Sequence, residues 1–106
     1  MTQEKKLEGV IAMLVTPFDS SETEAVNYEN LRQQIHWCAE QNVQGIVVTP
    51  SIGEFACLSR EERIECLEVC KETASHYPHL YTIAMIAGTH IKEVRFYARL
   101  AKELGY

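Results

Sequence analysis

The sequence predicts an α/β fold, a parallel β-α-β-α-β-α chain that forms the first three units of a (β/α)8 barrel. Three observations carry that expectation. The apolar runs at 10–15, 43–49 and 80–87 are continuous or β-branched rather than alternating, the pattern of strands buried on both faces. Each run is followed by a stretch with apolar residues at three- and four-residue spacing, the mark of an amphipathic helix. The 106 residues also divide into units of about 35, and eight such units would need about 280, close to the usual length of such a barrel.

The first strand is the run 10–15, ended by Thr16-Pro17. Residues 19–25 are polar and acidic and are expected to form a loop. Asn27 can then cap a helix whose apolar positions are Tyr28, Leu31, Ile35, Cys38 and Ala39, with Asn42 as its left-handed stop. The second strand, 43–49, leads into a turn at 50–54. Ser59 and Glu62 have the spacing of a capping box, and the helix they open continues through Ile64, Leu67, Cys70 and Ala74 to a stop at Tyr77-Pro78-His79. The third strand, 80–87, ends in Gly88-Thr89. The last helix has Val94, Ala98, Ala101 and Leu104 on one face and Gly105 as its stop.

Parallel strands with connections of this length call for right-handed crossovers. One incomplete barrel domain over residues 1–106 is therefore expected, with no linker. With all helices on one side, the other sheet face and both edges are left uncovered. The alternative, a small doubly wound domain, carries four or five strands.

Composition bounds the function classes. The chain is 46% hydrophobic and 24% charged with 5 Gly and 3 Pro, as in ordinary globular proteins. Ten Lys and Arg against 15 Asp and Glu leave a net charge of −5, which excludes a basic surface for nucleic acid. No secretory leader pattern opens the sequence, and the run at 10–15 is far too short to span a membrane, so a cytoplasmic protein with no nucleic-acid or membrane partner is expected. Cys38, Cys57, Cys66 and Cys70 form no CxxC pair and have no partnered histidine spacing. Cys66 and Cys70, at i and i+4, could form a metal or redox site with His76; the plainer reading is small buried residues in a reducing compartment. No metal and no cofactor are expected.

In α/β architectures ligands bind at the carboxyl ends of the strands, here Thr16-Pro17-Phe18, the turn 50–54 and Gly88-Thr89-His90. The turn is the most informative. A hydroxyl, a glycine and exposed backbone amides in one tight bend can hold a carboxylate or relay a proton, although a plain turn would have the same composition. His76 and His79 belong to the opposite end, where barrel residues serve stability. Trp37, Phe96 and Tyr97 stand at helical positions suited to packing or to an oligomer surface.

Val15-Thr16-Pro17-Phe18, Gly45-Ile46-Val47-Val48, Ser51-Ile52-Gly53-Glu54-Phe55, Leu58-Ser59-x-x-Glu62-Arg63 and Ile86-Ala87-Gly88 together resemble, in order and spacing, the dihydrodipicolinate synthase / N-acetylneuraminate lyase family. The resemblance extends from about residue 9 to residue 105. It implies a class I aldolase-type lyase on a (β/α)8 barrel, homotetrameric, that binds pyruvate or a related 2-oxo acid as a Schiff base on a lysine of the sixth strand and joins it to, or releases, an aldehyde. It also implies that Ser51 is the catalytic relay hydroxyl and that Ser51, Ile52 and Gly53 bind substrate. Ile52 stands where the family has a second hydroxyl residue, and Pro50 where it usually has glycine; these departures favour a relative acting on another 2-oxo acid, or an inactive one. Glu54 corresponds to a structural member of the turn. The loop that carries His90 and Lys92 is about three residues shorter than the family's, with His90 expected to be a solvated loop residue.

None of Lys5, Lys6, Lys71, Lys92 and Lys102 falls where the imine-forming lysine belongs. The 106 residues are therefore expected to be the N-terminal part of such an enzyme, inactive alone. The alternative is a non-catalytic truncated half-barrel that self-associates or pairs with a complementary chain.

Overall fold

The computed structural model describes residues 7–19 and 24–106. Strands β1 (Ile11–Met13), β2 (Gly45–Val48) and β3 (Tyr81–Ala84) form one parallel sheet in the order β1-β2-β3. Helices α1 (Tyr28–Glu40), α2 (Arg60–Ala74) and α3 (Ile91–Leu104) follow them in turn. The register aligns Met13 with Val47 and Val47 with Ile83.

Side chains alternate across a strand, and here both faces are apolar. Ala12, Leu14, Ile46, Val48, Ala84 and Ile86 pack with Leu31, Ile35 and Cys38 of α1, Cys66, Leu67 and Cys70 of α2 and Tyr97 of α3. Ile35, Ile46 and Leu67 have no exposed surface, and each such burial stabilises by about 1.5–3 kcal/mol. The other face carries Met13 and Val15, 54% and 51% exposed. Val47, flanked there by Met13 and Ile83, is buried.

The strands are shorter than the apolar runs that announced them, because the ladder is counted only where neighbouring strands run side by side. Hydrogen bonds continue past its ends, from Leu14 N to Val47 O (3.1 Å) and from Met85 N to Val48 O (3.0 Å). The helix boundaries follow the capping chemistry. Asn27 accepts a hydrogen bond from Asn30 N at 2.9 Å. Ser59 and Glu62 make both bonds of the capping box, at 3.1 and 2.9 Å. Asn42 (φ 60°) and Gly105 (φ 90°) adopt the left-handed conformation expected of them.

Of the loop expected at 19–25, residues 20–23 lie outside the described residues. Its ends pair: Asp19 N donates to Ala25 O at 2.8 Å beside an antiparallel bridge between Phe18 and Val26. Among the described residues no helix is long and apolar enough to cross a membrane.

Cys38, Cys66 and Cys70 are buried free thiols and Cys57 is exposed. Burial pushes the Cys66 thiol up to about 12 and also raises Cys38 and Cys70. Among the described residues no group of three or more His, Cys, Asp or Glu side chains could hold a metal ion. His76 is exposed, and Trp37 is 61% exposed on α1.

Candidate functional site

The site begins where β2 ends. Thr49 has φ 53°, a left-handed conformation that a β-branched residue adopts at a cost of about 1–3 kcal/mol. It is 3% exposed, and its hydroxyl donates to the Met85 carbonyl at 3.4 Å. Pro50, fully buried, redirects the chain into a one-turn 3₁₀ helix, Ser51–Gly53. Gly53 N donates to Pro50 O (2.9 Å) and Glu54 N to Ser51 O (3.0 Å), closing the turn. Glu54, exposed at φ 60°, then bends the chain into a second such turn, Phe55–Cys57, ahead of α2.

The carboxyl end of β1 braces this turn from the side. The Thr16 hydroxyl donates to Gly53 O at 2.5 Å. A methyl group on Gly53 would stand 2.9 Å from the Leu14 carbonyl oxygen and 3.0 Å from Pro50 Cδ, so only glycine permits the approach. Gly53 is buried, whereas Ser51 and Ile52 are exposed, Ile52 by 58%. The three residues singled out in the sequence thus share one turn at the mouth of the sheet.

Behind the turn lies Arg63, from the first turns of α2 and only 2% exposed. Its Nη2 donates to Met85 O at 2.9 Å, and its guanidinium carbon sits 3.9 Å from the Tyr97 ring centre and 4.6 Å from that of Phe55. Glu93 Oε1 lies 3.7 Å from Nη1. Gly88 makes room for that carboxylate: a methyl group there would meet Glu93 Cδ at 2.9 Å. Burial lowers the guanidinium pKa, and Tyr97 and Glu93 oppose the shift.

An open cleft of about 730 Å³ adjoins this cluster, between the Phe55–Cys57 turn and the start of α3; Phe55, Arg63, Glu93 and Tyr97 line it together with Arg60, His90 and Lys92. His90, expected as a solvated loop residue, is instead the N-cap of α3. It remains exposed, but Nδ1 accepts a long bond from Glu93 N (3.3 Å) and Nε2 lies 3.6 Å from Glu93 Oε2. The short connection from β3 leaves it at the one position where a side-chain acceptor meets the free amides of a helix start.

The remaining candidates lie away from the mouth. Tyr77 and His36 share a short hydrogen bond (2.5 Å) at the loop entering β3, and His79 meets the Tyr77 ring edge-on. Lys71 on α2 donates to Thr82 Oγ1 at 2.7 Å, and Lys92 and Lys102 lie on α3. Lys5 and Lys6 lie outside the described residues. Sequence reasoning missed Thr49, Arg63 and Glu93. Thr49 carried no signal, and Arg63 entered only as the last residue of the Leu58-Ser59-x-x-Glu62-Arg63 motif, with no role attached to it.

The comparisons with known proteins concern the family and the fold. A sequence model described as the Dihydrodipicolinate synthetase family matches residues 6–106. N-acetylneuraminate lyase 2 of Escherichia coli O6:H1 is 34% identical over 101 residues, covering 95% of this chain and 32% of that protein. A 4-hydroxy-tetrahydrodipicolinate synthase of Maridesulfovibrio salexigens is 33% identical over 98 residues, 92% of this chain and 32% of that protein. Among solved structures, N-acetylneuraminate lyase from Mycoplasma synoviae superposes with a TM-score of 0.82 at 31% identity, over 92% of this chain and 32% of the other. Dihydrodipicolinate synthase from Aquifex aeolicus gives 0.84 at 28% identity, over 93% and 32%. The chain spans about a third of the length of the curated relatives it matches.

Proposed function

The chain belongs to the dihydrodipicolinate synthetase family, and from that membership we propose that it forms the front of a lyase that makes or breaks a carbon–carbon bond through a Schiff base on pyruvate or a related 2-oxo acid. The second reactant is an aldehyde. The relevant lyases are TIM barrels, and β1-α1-β2-α2-β3-α3 are the first three βα units of that fold.

Ser51 serves as the relay hydroxyl, passing a proton as the imine and its carbanion equivalent form. Ile52 offers its backbone amide to the substrate carboxylate, and Gly53, whose amide donates to Pro50 O and whose carbonyl accepts from Thr16, shapes the turn that presents it. The single observation that best supports this is the braced turn: exposed Ser51 in a tight 3₁₀ bend that Thr16 ties to β1 at 2.5 Å. Such fixed placement is what proton transfer requires of a weakly acidic hydroxyl. In this reading, as the family resemblance implies, the imine-forming amine is a lysine of the sixth strand, beyond these three units; Lys71 donates to Thr82, and Lys92 and Lys102 are on α3. The protonated imine is the electron sink, so amine, hydroxyl and substrate suffice for the chemistry without a further cofactor.

Ile52 offers no side-chain donor to a carboxylate. A hydrogen bond to a charged group contributes about 1.5–3 kcal/mol, so the substrate acid is held more weakly here or by other groups. A homotetrameric, cytoplasmic enzyme is part of the same reading.

Kinetics of the full-length protein test it. Ser51→Ala is expected to lower kcat by about 10²–10⁴ with little change in KM for the 2-oxo acid; unchanged turnover overturns the relay role. A second reading, favoured by the exposed Met13 and Val15, is a non-catalytic half-barrel whose bare sheet face is completed by another copy. A single defined oligomer that forms no imine would select it.

A further inference from the structure

We propose that Arg63 is a positioning residue that holds the Ser51 turn through Met85, Thr49 and Phe55. The proposal rests on the reading of Ser51 as the relay hydroxyl and deepens it.

The guanidinium grips the turn from both ends. On the upstream side, Met85 O accepts from Arg63 Nη2 at 2.9 Å and from the Thr49 hydroxyl at 3.4 Å. Thr49 is the residue with φ 53°, two before Ser51, where the direction of the whole bend is set. Downstream, the planar group lies between the Phe55 and Tyr97 rings, at 4.6 and 3.9 Å from their centres. Phe55 opens the turn that follows Ser51–Gly53. One rigid side chain therefore bridges α2, β3 and α3 to both flanks of the site.

Stability alone does not account for an arginine here. Nε is buried without a hydrogen-bond partner, Glu93 stands off at 3.7 Å, and a packed hydrocarbon of similar volume generally stabilises a buried site as well or better. What a hydrocarbon lacks is a planar fork that donates to a fixed carbonyl while stacking on rings. Met85 O, the carbonyl that the Thr49 hydroxyl also approaches, is where that fork is used.

The test compares wild type, Arg63→Lys and Arg63→Met in the full-length protein, by amide hydrogen exchange and by kinetics. The amides of Gly53 and Glu54, which close the turn, are expected to exchange at least about tenfold faster in both variants, with α2 and β3 amides keeping their protection. Turnover is expected to fall by about 10–100-fold, more in Arg63→Met than in Arg63→Lys, with KM for pyruvate changed by less than about threefold. Unchanged exchange at Gly53 and Glu54, or protection lost evenly across α2 and β3, overturns the proposal. If Arg63→Met does not fold, Arg63→Lys carries the comparison. A wild-type protein without turnover would sink the lyase reading alone, because the exchange data still decide what Arg63 does.

Discussion

The Thr16 hydroxyl donates to the Gly53 carbonyl at 2.5 Å, and this bond ties the carboxyl ends of β1 and β2 into one edge of the site. It is the bond that ties the turn to β1, whereas Thr49 ties its upstream flank to Met85 at the end of β3. Gly53 allows the contact by bringing bare backbone to within reach of β1.

Gly53→Ala is therefore expected to destabilise the protein by about 1–3 kcal/mol, because the new methyl group meets backbone at Leu14 and the Pro50 ring rather than a yielding side chain. Denaturant titration measures the loss, and turnover is expected to fall with it. A substitution without effect would mean that the turn can move away from β1 freely.

Ser59→Ala removes one of the two bonds of the capping box that starts α2. The expected loss is about 1 kcal/mol. Thermal unfolding monitored by circular dichroism checks it.

Alkaline pH is expected to weaken the fold. The Cys66 thiol rises from an ordinary 9.0 to about 12 in the folded protein, so between those values the unfolded chain has lost a proton that the folded chain keeps. Stability is then full below pH 9 and falls as pH rises toward 12. Burial raises Cys70, Tyr28 and Tyr106 as well, in the same direction. Urea midpoints measured from about pH 8 to about pH 11 should decline; a flat profile contradicts the burial of these groups.

Thiol labelling at neutral pH should distinguish the cysteines. Cys57 is exposed and should react in the native state, whereas Cys38, Cys66 and Cys70 should be modified only after unfolding. Peptide mass mapping after a brief pulse of reagent reads the difference.

The sequence made much of this legible, and the limits are physical. The strands could be read because both of their faces are apolar, and the starts of α1 and α2 because each cap acts only three residues along the chain, Asn27 on Asn30 and Ser59 with Glu62. The place of Ser51, Ile52 and Gly53 in one turn followed from composition and resemblance. The φ of Thr49 could not be read, because it is imposed by what surrounds it, including the bond to Met85 from another strand. The buried place of Arg63, which entered only as part of a motif, was hidden for a similar reason. Its burial depends on Phe55, Tyr97 and Met85, which converge only in the folded chain. His90 looked like a loop residue because the length of the connection, rather than its own chemistry, makes it a cap.

The central claim is that these units serve a lyase that works through an imine. The most direct measurement is the intact mass of the full-length protein after incubation with pyruvate and borohydride, which reduces an imine to a stable amine. The expected result is one pyruvate-derived adduct per chain, formed in both wild type and Ser51→Ala but more slowly in the variant. A protein that turns over pyruvate yet acquires no adduct under these conditions would contradict the account.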